Sequence, residues 1–336
     1  MPYLFPHARR LVLPALLIAC TPNGEGTGDG TPVDQVPTVF ADETYTVDVT
    51  IGEVYAEGLT HSDWNTPNPT SMDLLLDIYA PLDAEGNRPA VLLIHGGGFT
   101  GGSRDKPELV ATGQYLASRG FLCMSIDYRV AGDHGTLPEP WLDASYELKA
   151  PADTQDQMRA LYAAGRDAKA AVRWLHANAA SLGVDPQYIT VLGSSAGAIQ
   201  TMMLGVTEPE DYRDELDQTA DPTLSTTHLD QPSDVHTLVD LWGGGAQIDI
   251  LSELYGLDRW DATDPPVAIV HGTADETVPF TEAEAIRDAY LETGATFSFH
   301  PLKGAGHGPW GSEVDGLSIP AFAFEFIVEQ QGLVVE

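Results

Sequence analysis

A serine flanked by small residues is the strongest chemical signal in the sequence. Residues 193–197 read Gly-Ser-Ser-Ala-Gly, directly after the apolar residues 189–192 and before an apolar stretch that can start a helix. A G-x-S-x-G pattern between a strand and a helix is typical of a nucleophile elbow, a strained turn that exposes the serine hydroxyl. Only small neighbours let the strand and the helix approach so closely. The pattern therefore predicts Ser195 as a nucleophile.

A glycine-rich segment, His95-Gly96-Gly97-Gly98-Phe99, directly follows the apolar residues 90–94. Backbone N–H groups of such a segment can point into a site and stabilise the oxyanion of a tetrahedral intermediate. We assign this function to the amides of Gly97 and Gly98, together with that of Ala196. A phosphate-binding loop is the alternative, but no Gly-Lys-Ser/Thr follows and the glycine spacing differs from that of dinucleotide-binding loops.

An aspartate follows one of the late apolar runs. Asp275 comes shortly after residues 267–270, just past the point where a strand of a parallel sheet would end. There its carboxylate can hold the imidazole of a histidine in the right tautomer and stabilise the charged imidazole. A turn-capping aspartate is the alternative interpretation, and Glu276 is the competing acid.

A histidine in a second glycine-rich segment completes the set. His307 lies within residues 304–308, Gly-Ala-Gly-His-Gly, whereas the competing His300 lies at the end of the preceding apolar run. Serine, aspartate and histidine in this chain order, each after a predicted strand, are typical of a serine activated through an imidazole. We therefore predict Ser195, Asp275 and His307 as catalytic residues.

The elements that must position these residues form a repeating pattern. Short, continuously apolar runs alternate with helical stretches, and they occur at residues 90–94, 121–126, 189–192, 238–241, 267–270 and 297–299. Such alternation indicates a parallel sheet covered by helices on both faces. Two earlier strands, at 45–51 and 74–79, are expected to form an antiparallel edge. Helices are predicted at 109–119, 167–181 and 282–292.

Two long segments interrupt this alternation. Residues 131–156 contain three prolines and Trp141, and residues 207–236 contain nine acidic residues with Arg213 as the only Lys or Arg. Loops of this length inside a compact domain usually serve as lids or binding loops. For residues 207–236, a solvated acidic excursion is an equal alternative.

Composition limits the partners of the protein. The 336 residues include 50 acidic and 16 basic side chains, which give a formal net charge of −34. A field of that sign repels a phosphate backbone, so we expect no nucleic-acid partner. The acidic residues are spread along most of the chain, which favours a solubilising surface over a single acidic binding site.

The N-terminus has the features of an export signal. Arg9 and Arg10 precede the apolar residues 11–19, a run too short to span a bilayer. The run ends Leu-Ile-Ala-Cys, which resembles a bacterial lipobox, and cleavage there would leave Cys20 as a lipidated N-terminus. We therefore expect export from a bacterial cell and a lipid anchor facing the periplasm or the outside. An ordinary secretory signal, giving a secreted protein, is the alternative.

The expected domain organisation follows from these segments. Residues 1–19 form a lipoprotein-type signal peptide, and residues 20–43, rich in Gly, Thr, Pro and acid, form a flexible tether. Residues 44–336 form the catalytic domain. The predicted lipid anchor is the only expected contact with a membrane.

Together these residues resemble the α/β-hydrolase superfamily, in the branch of hormone-sensitive-lipase-like esterases and the related feruloyl and acetyl-xylan esterases of the BD-FAE type. The similarity covers residues 45–330, and further matching stretches are 76–81 (LDIYAP), 125–129 (SIDYR), 167–175 (DAKAAVRWL) and 271–275 (HGTAD). The resemblance implies an α/β-hydrolase fold with a mostly parallel eight-stranded sheet, flanking helices and lid-like insertions. It also implies hydrolysis of carboxylic esters by acyl transfer, without metal or cofactor.

One departure from the pattern bears on the subfamily. Hormone-sensitive-lipase-like members usually carry Asp before the nucleophile and a second Gly after the elbow, where this chain has Ser194 and Ala198. The departure favours the feruloyl and acetyl-xylan esterase side of the branch.

The predicted function is hydrolysis of short-acyl or aryl esters, small or linked to a polysaccharide, through an acyl-enzyme intermediate. Candidate walls of the substrate pocket are the aromatic residues Phe99, Trp141, Trp242 and Trp310. A serine peptidase or amidase is one alternative, because the same catalytic residues cleave amides. A binding protein that keeps the fold without catalysis is another alternative. Loss of one of the three predicted catalytic residues would mark such a protein, and all three are present.

Overall fold

The computed structural model describes residues 36–84, 86–147 and 152–336. The predicted signal peptide at 1–19, Cys20 and most of the tether at 20–43 lie outside the described residues. The division into signal, tether and catalytic domain stays a prediction. Among the described helices, none combines the length and the apolar character needed to cross a membrane.

An eight-stranded, mostly parallel sheet lies at the centre of the described residues. In chain order the strands are β1 (Thr38–Val39), β2 (Val47–Thr60), β3 (Thr70–Pro81), β4 (Arg88–Ile94), β5 (Leu122–Ile126), β6 (Val184–Ser194), β7 (Thr237–Leu241), β8 (Val267–Gly272), β9 (Phe297–Leu302), β10 (Glu313–Val314), β11 (Leu317–Ser318) and β12 (Val334–Val335). The main sheet has the order β2-β3-β5-β4-β6-β7-β8-β9, and β3 pairs antiparallel with both β2 and β5. This confirms the predicted α/β-hydrolase architecture with its antiparallel edge.

Helices cover both faces of this sheet. They are α1 (Pro107–Ala117), α2 (Glu139–Glu147), α3 (Ala152–Leu182), α4 (Ala196–Val206), α5 (Ala246–Tyr255), α6 (Phe280–Thr293) and α7 (Ile319–Gln331). Buried residues of α1 and α7 pack in one apolar cluster, and those of α3 to α6 pack in the other. Along β4, Leu92 and Ile94 belong to one cluster, whereas Val91 and Leu93 belong to the other. Burial on both faces explains why the strands read as continuous apolar runs.

The segment at residues 131–156 is more helical than predicted. It contains α2 and the first turn of α3, so the predicted helix start at residue 167 is wrong. Residues 160–164, Ala-Leu-Tyr-Ala-Ala, are buried on every side of α3. Buried positions of α3 also include charged residues such as Arg159, Arg166 and Asp167, so a search for apolar positions does not mark where the helix begins.

The acidic segment 207–236 is packed against the domain. Arg173 on α3 donates from Nε to the carbonyl oxygen of Thr227 at 2.7 Å, and both residues are buried. Arg259 donates to both carboxylate oxygens of Asp211, at 2.8 and 2.7 Å, and Asp211 is also buried. At these positions the segment differs from a solvated acidic excursion. Its Thr227 carbonyl accepts from the buried Arg173, and its buried Asp211 is neutralised by Arg259.

A buried ion pair ties the segment that follows β5 to α3. Arg129 Nη2 lies 2.6 Å from Asp167 Oδ1, and Arg129 Nε lies 2.9 Å from Asp167 Oδ2. Asp167 Oδ2 also accepts from the backbone N–H of Arg129 at 2.9 Å. Burial by itself disfavours the charged guanidinium of Arg129. The charge and the hydrogen bonds of the Asp167 carboxylate more than offset this effect, so the pKa of Arg129 is raised. Each of these two buried charges is therefore neutralised by the other.

We expect Asp167→Asn to lower the free energy of unfolding by about 3–5 kcal/mol, because it leaves a buried guanidinium without its counter-charge. Urea denaturation of the wild type and the variant measures the loss. The control is Asp288→Asn, which removes an exposed partner of Arg287 and should cost less than about 1 kcal/mol. Similar losses in the two variants would contradict the structural importance of the buried pair.

Candidate active site

The backbone turns sharply at Ser195, between β6 and α4. Ser195 has φ 55° and ψ −119°, a conformation that costs a non-glycine residue free energy. Its N–H donates to the carbonyl oxygen of Leu241 at 2.9 Å, which fastens the turn to β7. A Cβ on Gly197 would collide with the carbonyl oxygen of Ile94, and one on Gly193 with that of Gly197. Close backbone approach therefore explains the small residues of the elbow.

The structure brings the predicted serine, histidine and aspartate into one hydrogen-bonded row. His307 Nε2 lies 2.8 Å from Ser195 Oγ, and His307 Nδ1 lies 2.7 Å from Asp275 Oδ2. The Asp275 side chain is fully buried, whereas 23% of the His307 side chain is exposed. The hydroxyl end of the row is thus nearer to solvent than the carboxylate end.

The two competing residues lie apart from this row. His300 Nδ1 is 3.0 Å from Asp315 Oδ2, and its ring contacts that of Phe322 edge-on with centroids 4.7 Å apart. Glu276 is exposed next to Asp275. Within the described part of the chain, neither side chain forms a hydrogen bond with Ser195 or His307.

Backbone amides and a second histidine hold the Asp275 carboxylate. Asp275 Oδ1 accepts from the N–H groups of Thr277 and Val278, at 2.8 and 3.0 Å. His271 Nε2 lies 2.9 Å from the carbonyl oxygen of Val278 and 3.4 Å from Asp275 Oδ2. Burial lowers the pKa of His271, so a neutral imidazole donates to the Val278 carbonyl. His271 was not predicted as a functional residue, although its spacing of four residues from Asp275 was a visible signal.

The loops that carry the aspartate and the histidine are fastened together. The N–H of Ala274 donates to the carbonyl oxygen of Ala305 at 2.9 Å, and the N–H of Gly304 donates to Thr273 Oγ1 at 2.8 Å. At the end of β8, a Cβ on Gly272 would collide with the same Ala305 carbonyl. The position of His307 therefore depends on a close backbone contact between the two loops.

Two segments that adjoin Ser195 contain backbone N–H groups without a backbone acceptor. Ala196 is the first residue of α4, where N–H groups have no acceptor within the helix. The amides of Gly97 and Gly98 donate to no acceptor among the described residues. A Cβ on Gly96 would lie 3.0 Å from the Ser195 Cβ, so the glycine-rich segment adjoins the elbow. The arrangement offers up to three N–H groups to a developing oxyanion.

Buried polar side chains hold the glycine-rich segment in place. The Tyr128 hydroxyl donates to the carbonyl oxygen of His95 at 2.9 Å, and the two rings stack with centroids 4.3 Å apart. Burial lowers the pKa of His95, which keeps its imidazole neutral. Farther along, Arg104 Nε lies 2.7 Å from Asp77 Oδ1, and the Arg104 N–H donates to Asp127 Oδ1 at 2.8 Å. The matching stretches 76–81 and 125–129 thus contain residues that anchor this segment.

The four aromatic residues predicted as pocket walls lie mainly in the core. Trp141 is core rather than pocket wall, because its ring packs on those of Tyr162 and Tyr212 with centroids 5.2 and 5.6 Å away. Trp242 is buried and meets the partly exposed Trp310 edge-on at 5.1 Å. Phe99 is buried beside Tyr128.

A polar side chain that the sequence did not single out borders the glycine-rich segment. Gln157 Nε2 lies 3.3 Å from the position that a Cβ on Gly98 would occupy. The neighbouring Asp156 accepts from the indole Nε1 of Trp64 at 2.9 Å, which ties this part of α3 to the loop between β2 and β3. The first turns of α3, which the sequence analysis did not predict to be helical, therefore form one side of the site.

The sheet order and the elbow define an α/β-hydrolase. The comparison with known families agrees with this fold. The BD-FAE family model matches residues 76–255, which are more than half of the chain. The chain belongs to the BD-FAE family.

Named esterases are among its relatives. Esterase LipC of Mycobacterium tuberculosis is 25% identical over 260 residues, which are 70% of this chain and 56% of the relative. Fumonisin B1 esterase of Sphingopyxis macrogoltabida is 35% identical over 131 residues, 38% of this chain and 22% of the relative. The chain thus spans about half or less of the length of these curated relatives.

A solved structure covers more of the chain. The esterase Est2 of Thermogutta terrifontis, determined with propionate bound, is 27% identical with a TM-score of 0.56, covering 83% of this chain and 93% of that one. These relatives and this structure support a carboxylesterase-type hydrolase.

Gly272→Ala should lower kcat for p-nitrophenyl acetate by roughly 100-fold, since displacing a catalytic group by about 1 Å has that effect. The added methyl group would push the Ala305 carbonyl, and with it the loop that carries His307. The matched control is Gly306→Ala, where a Cβ meets nothing within 4 Å. Steady-state kinetics and melting temperatures of both variants test this, and equal kcat values for the two would contradict it.

Proposed function

We propose that the protein is a serine carboxylesterase that acts through Ser195, His307 and Asp275. The observation that carries this proposal is the hydrogen-bonded row from Ser195 Oγ through the imidazole to the buried carboxylate, with 2.8 and 2.7 Å between the heavy atoms. These distances lie within the range for proton transfer between a nucleophile and its base.

In the first step, Ser195 Oγ attacks the carbonyl carbon of the ester. His307 Nε2 accepts the hydroxyl proton, and the Asp275 carboxylate, which accepts from Nδ1–H, stabilises the imidazolium that forms. The amides of Gly97, Gly98 and Ala196 stabilise the negative charge on the carbonyl oxygen. As the C–O bond to the alcohol breaks, the imidazolium donates its proton to the leaving oxygen.

In the second step, water hydrolyses the acyl-enzyme. His307 Nε2 accepts a proton from the water as its oxygen attacks the acyl carbon, and the same donors stabilise the second oxyanion. The bond to Ser195 Oγ then breaks, and the proton returns to the serine. The strained backbone at Ser195 and the buried Asp275 remain unchanged, so the site is ready for another ester.

We propose short-acyl and aryl esters as substrates, either small or attached to a polysaccharide. Solved structures of the related Thermogutta esterase contain propionate and butyrate, which supports a short acyl group. Another of its structures is phosphorylated by paraoxon, which supports attack on an activated aryl ester. Membership in the BD-FAE family supports the wider class of carboxylic esters.

Ser195→Ala should lower kcat/KM for p-nitrophenyl acetate by at least about 10⁴-fold, because the variant lacks the nucleophile. Wild-type turnover should fall from acetate and butyrate to decanoate. The matched control is Ser194→Ala, which removes a neighbouring buried hydroxyl that has no hydrogen-bond partner in the described structure and should stay active.

The same assays separate the competing functions. Activity that survives Ser195→Ala would reject Ser195 as the nucleophile, and faster cleavage of p-nitroanilides than of esters would indicate an amidase. A wild type without any turnover would indicate a binding protein. Paraoxon gives an independent test, because a diethylphosphoryl group should appear on the Ser195 peptide of the wild type and not on that of Ser195→Ala.

We also propose that the protein is exported and anchored through a lipid on Cys20. The support is the sequence, with Arg9 and Arg10 before an apolar run that ends Leu-Ile-Ala-Cys. In bacterial cells fed a labelled fatty acid, the wild type should take up label and fractionate with membranes. Cys20→Ser should lose both properties, whereas Cys123→Ser, at the buried second cysteine, should keep them. Equal labelling of the two variants would overturn the proposal.

A further inference from the structure

A small cavity lies between β2, α3 and the acidic segment 207–236. Its volume is about 10 Å³, which is enough for about one water-sized particle. The charged residues that line it are Glu57, Arg129, Arg166, Asp167, Arg173, Arg213 and Asp221. The catalytic residues are not among its lining residues, so the cavity is separate from the active site.

Two arginines present unpaired donors here. Nη1 and Nη2 of Arg166, and Nη1 of Arg173, are buried and have no hydrogen-bond partner among the described residues. The two residues are only 4% and 3% exposed. The Arg166 guanidinium lies 5.6 Å from the Tyr162 ring centroid, a contact that leaves its N–H groups free. Buried donors without acceptors are costly, so each indicates a missing partner.

Asp221 supplies Arg166 with a counter-charge but with no hydrogen bond. Asp221 Oδ2 lies 3.5 Å from Arg166 Nη1, while Asp221 Oδ1 accepts from the N–H and the hydroxyl of Thr223 at 3.1 and 2.5 Å. Arg173 uses only Nε, which donates to the uncharged carbonyl of Thr227. The guanidinium of Arg173 therefore has no carboxylate of its own among the described ion pairs.

Among the buried residues that line the cavity, guanidinium groups outnumber carboxylates by one. Its buried lining contains the three guanidinium groups of Arg129, Arg166 and Arg173, but only the two carboxylates of Asp167 and Asp221. Glu57 and Arg213 also line it and are partly exposed, and Arg213 pairs with Asp214 at 2.6 Å. Burial, together with nearby Arg166, lowers the pKa of Arg173 to about 10, so the group stays charged at neutral pH.

We propose that this cavity binds a single halide ion, chloride, which accepts from the free N–H groups of Arg166 and Arg173. A monatomic anion neutralises the surplus guanidinium and fits a volume that excludes sulfate or phosphate. A water molecule could accept the same hydrogen bonds but would leave the buried charge uncompensated. The ion would fasten the segment 207–236 to α3, so its binding stabilises the folded state.

Thermal unfolding of the full chain in sodium chloride and in sodium gluconate of equal ionic strength tests this. Chloride should raise the melting temperature of the wild type by roughly 2–5 °C over gluconate, because a ligand that binds only the folded state stabilises it. The difference should disappear in Arg173→Met. It should persist in Arg287→Met, a control that removes the same charge from the surface, where Arg287 pairs with Asp288. Equal melting temperatures of the wild type in the two salts would overturn the proposal.

A second measurement uses the wild type alone, so it does not depend on the folding of a variant. Crystals grown in sodium bromide should show an anomalous peak beside the guanidinium groups of Arg166 and Arg173. A water-like density without anomalous signal at this position would overturn the proposal. Neither experiment measures ester hydrolysis, and failure of the halide site would therefore leave the proposed esterase function untouched.

Discussion

The backbone at Ser195 is the constraint on which the site depends. A serine at φ 55° persists only where the surrounding structure determines it. Here the Leu241 carbonyl accepts its N–H, and Gly197 packs directly on the carbonyl of Ile94. Because Ile94 ends β4 and Gly96 follows it, the contact that holds the elbow also brings the glycine-rich segment to the hydroxyl. One set of backbone contacts thus positions both Ser195 and the glycine-rich segment proposed to supply the oxyanion donors.

Loops at the carboxyl edge of the sheet remain in place through buried polar groups. The Tyr128 hydroxyl holds the glycine-rich segment through the carbonyl of His95, and His271 holds the turn that carries Asp275. N–H donors that are already fixed in place need not reorganise when negative charge develops on a substrate. Such preorganisation is the main source of electrostatic stabilisation in sites of this kind. The same principle extends to α3, whose buried arginines meet the acids and carbonyls of the segment 207–236.

Much of the fold and the hydrogen-bonded row of Ser195, His307 and Asp275 could be predicted from the sequence, because their signals are local. Strands buried on both faces read as unbroken apolar runs, and the elbow needs Gly193 and Gly197 at fixed offsets from Ser195. The order of serine, aspartate and histidine follows from the order of strands in this fold. The sequence by itself therefore determined the sheet, the family and the residues Asp275 and His307 as candidates.

Tertiary structure decided what depends on contacts between distant segments. The start of α3 was not marked by an apolar pattern, because its buried positions include the charged residues Arg159 and Arg166, and only its packing places Gln157 beside Gly98. Trp141 could not be assigned to a wall or to the core before Tyr162 and Tyr212 were seen around it. Burial and charge compensation are properties of the folded chain, because they depend on which residues are neighbours in space and not on which are neighbours in sequence.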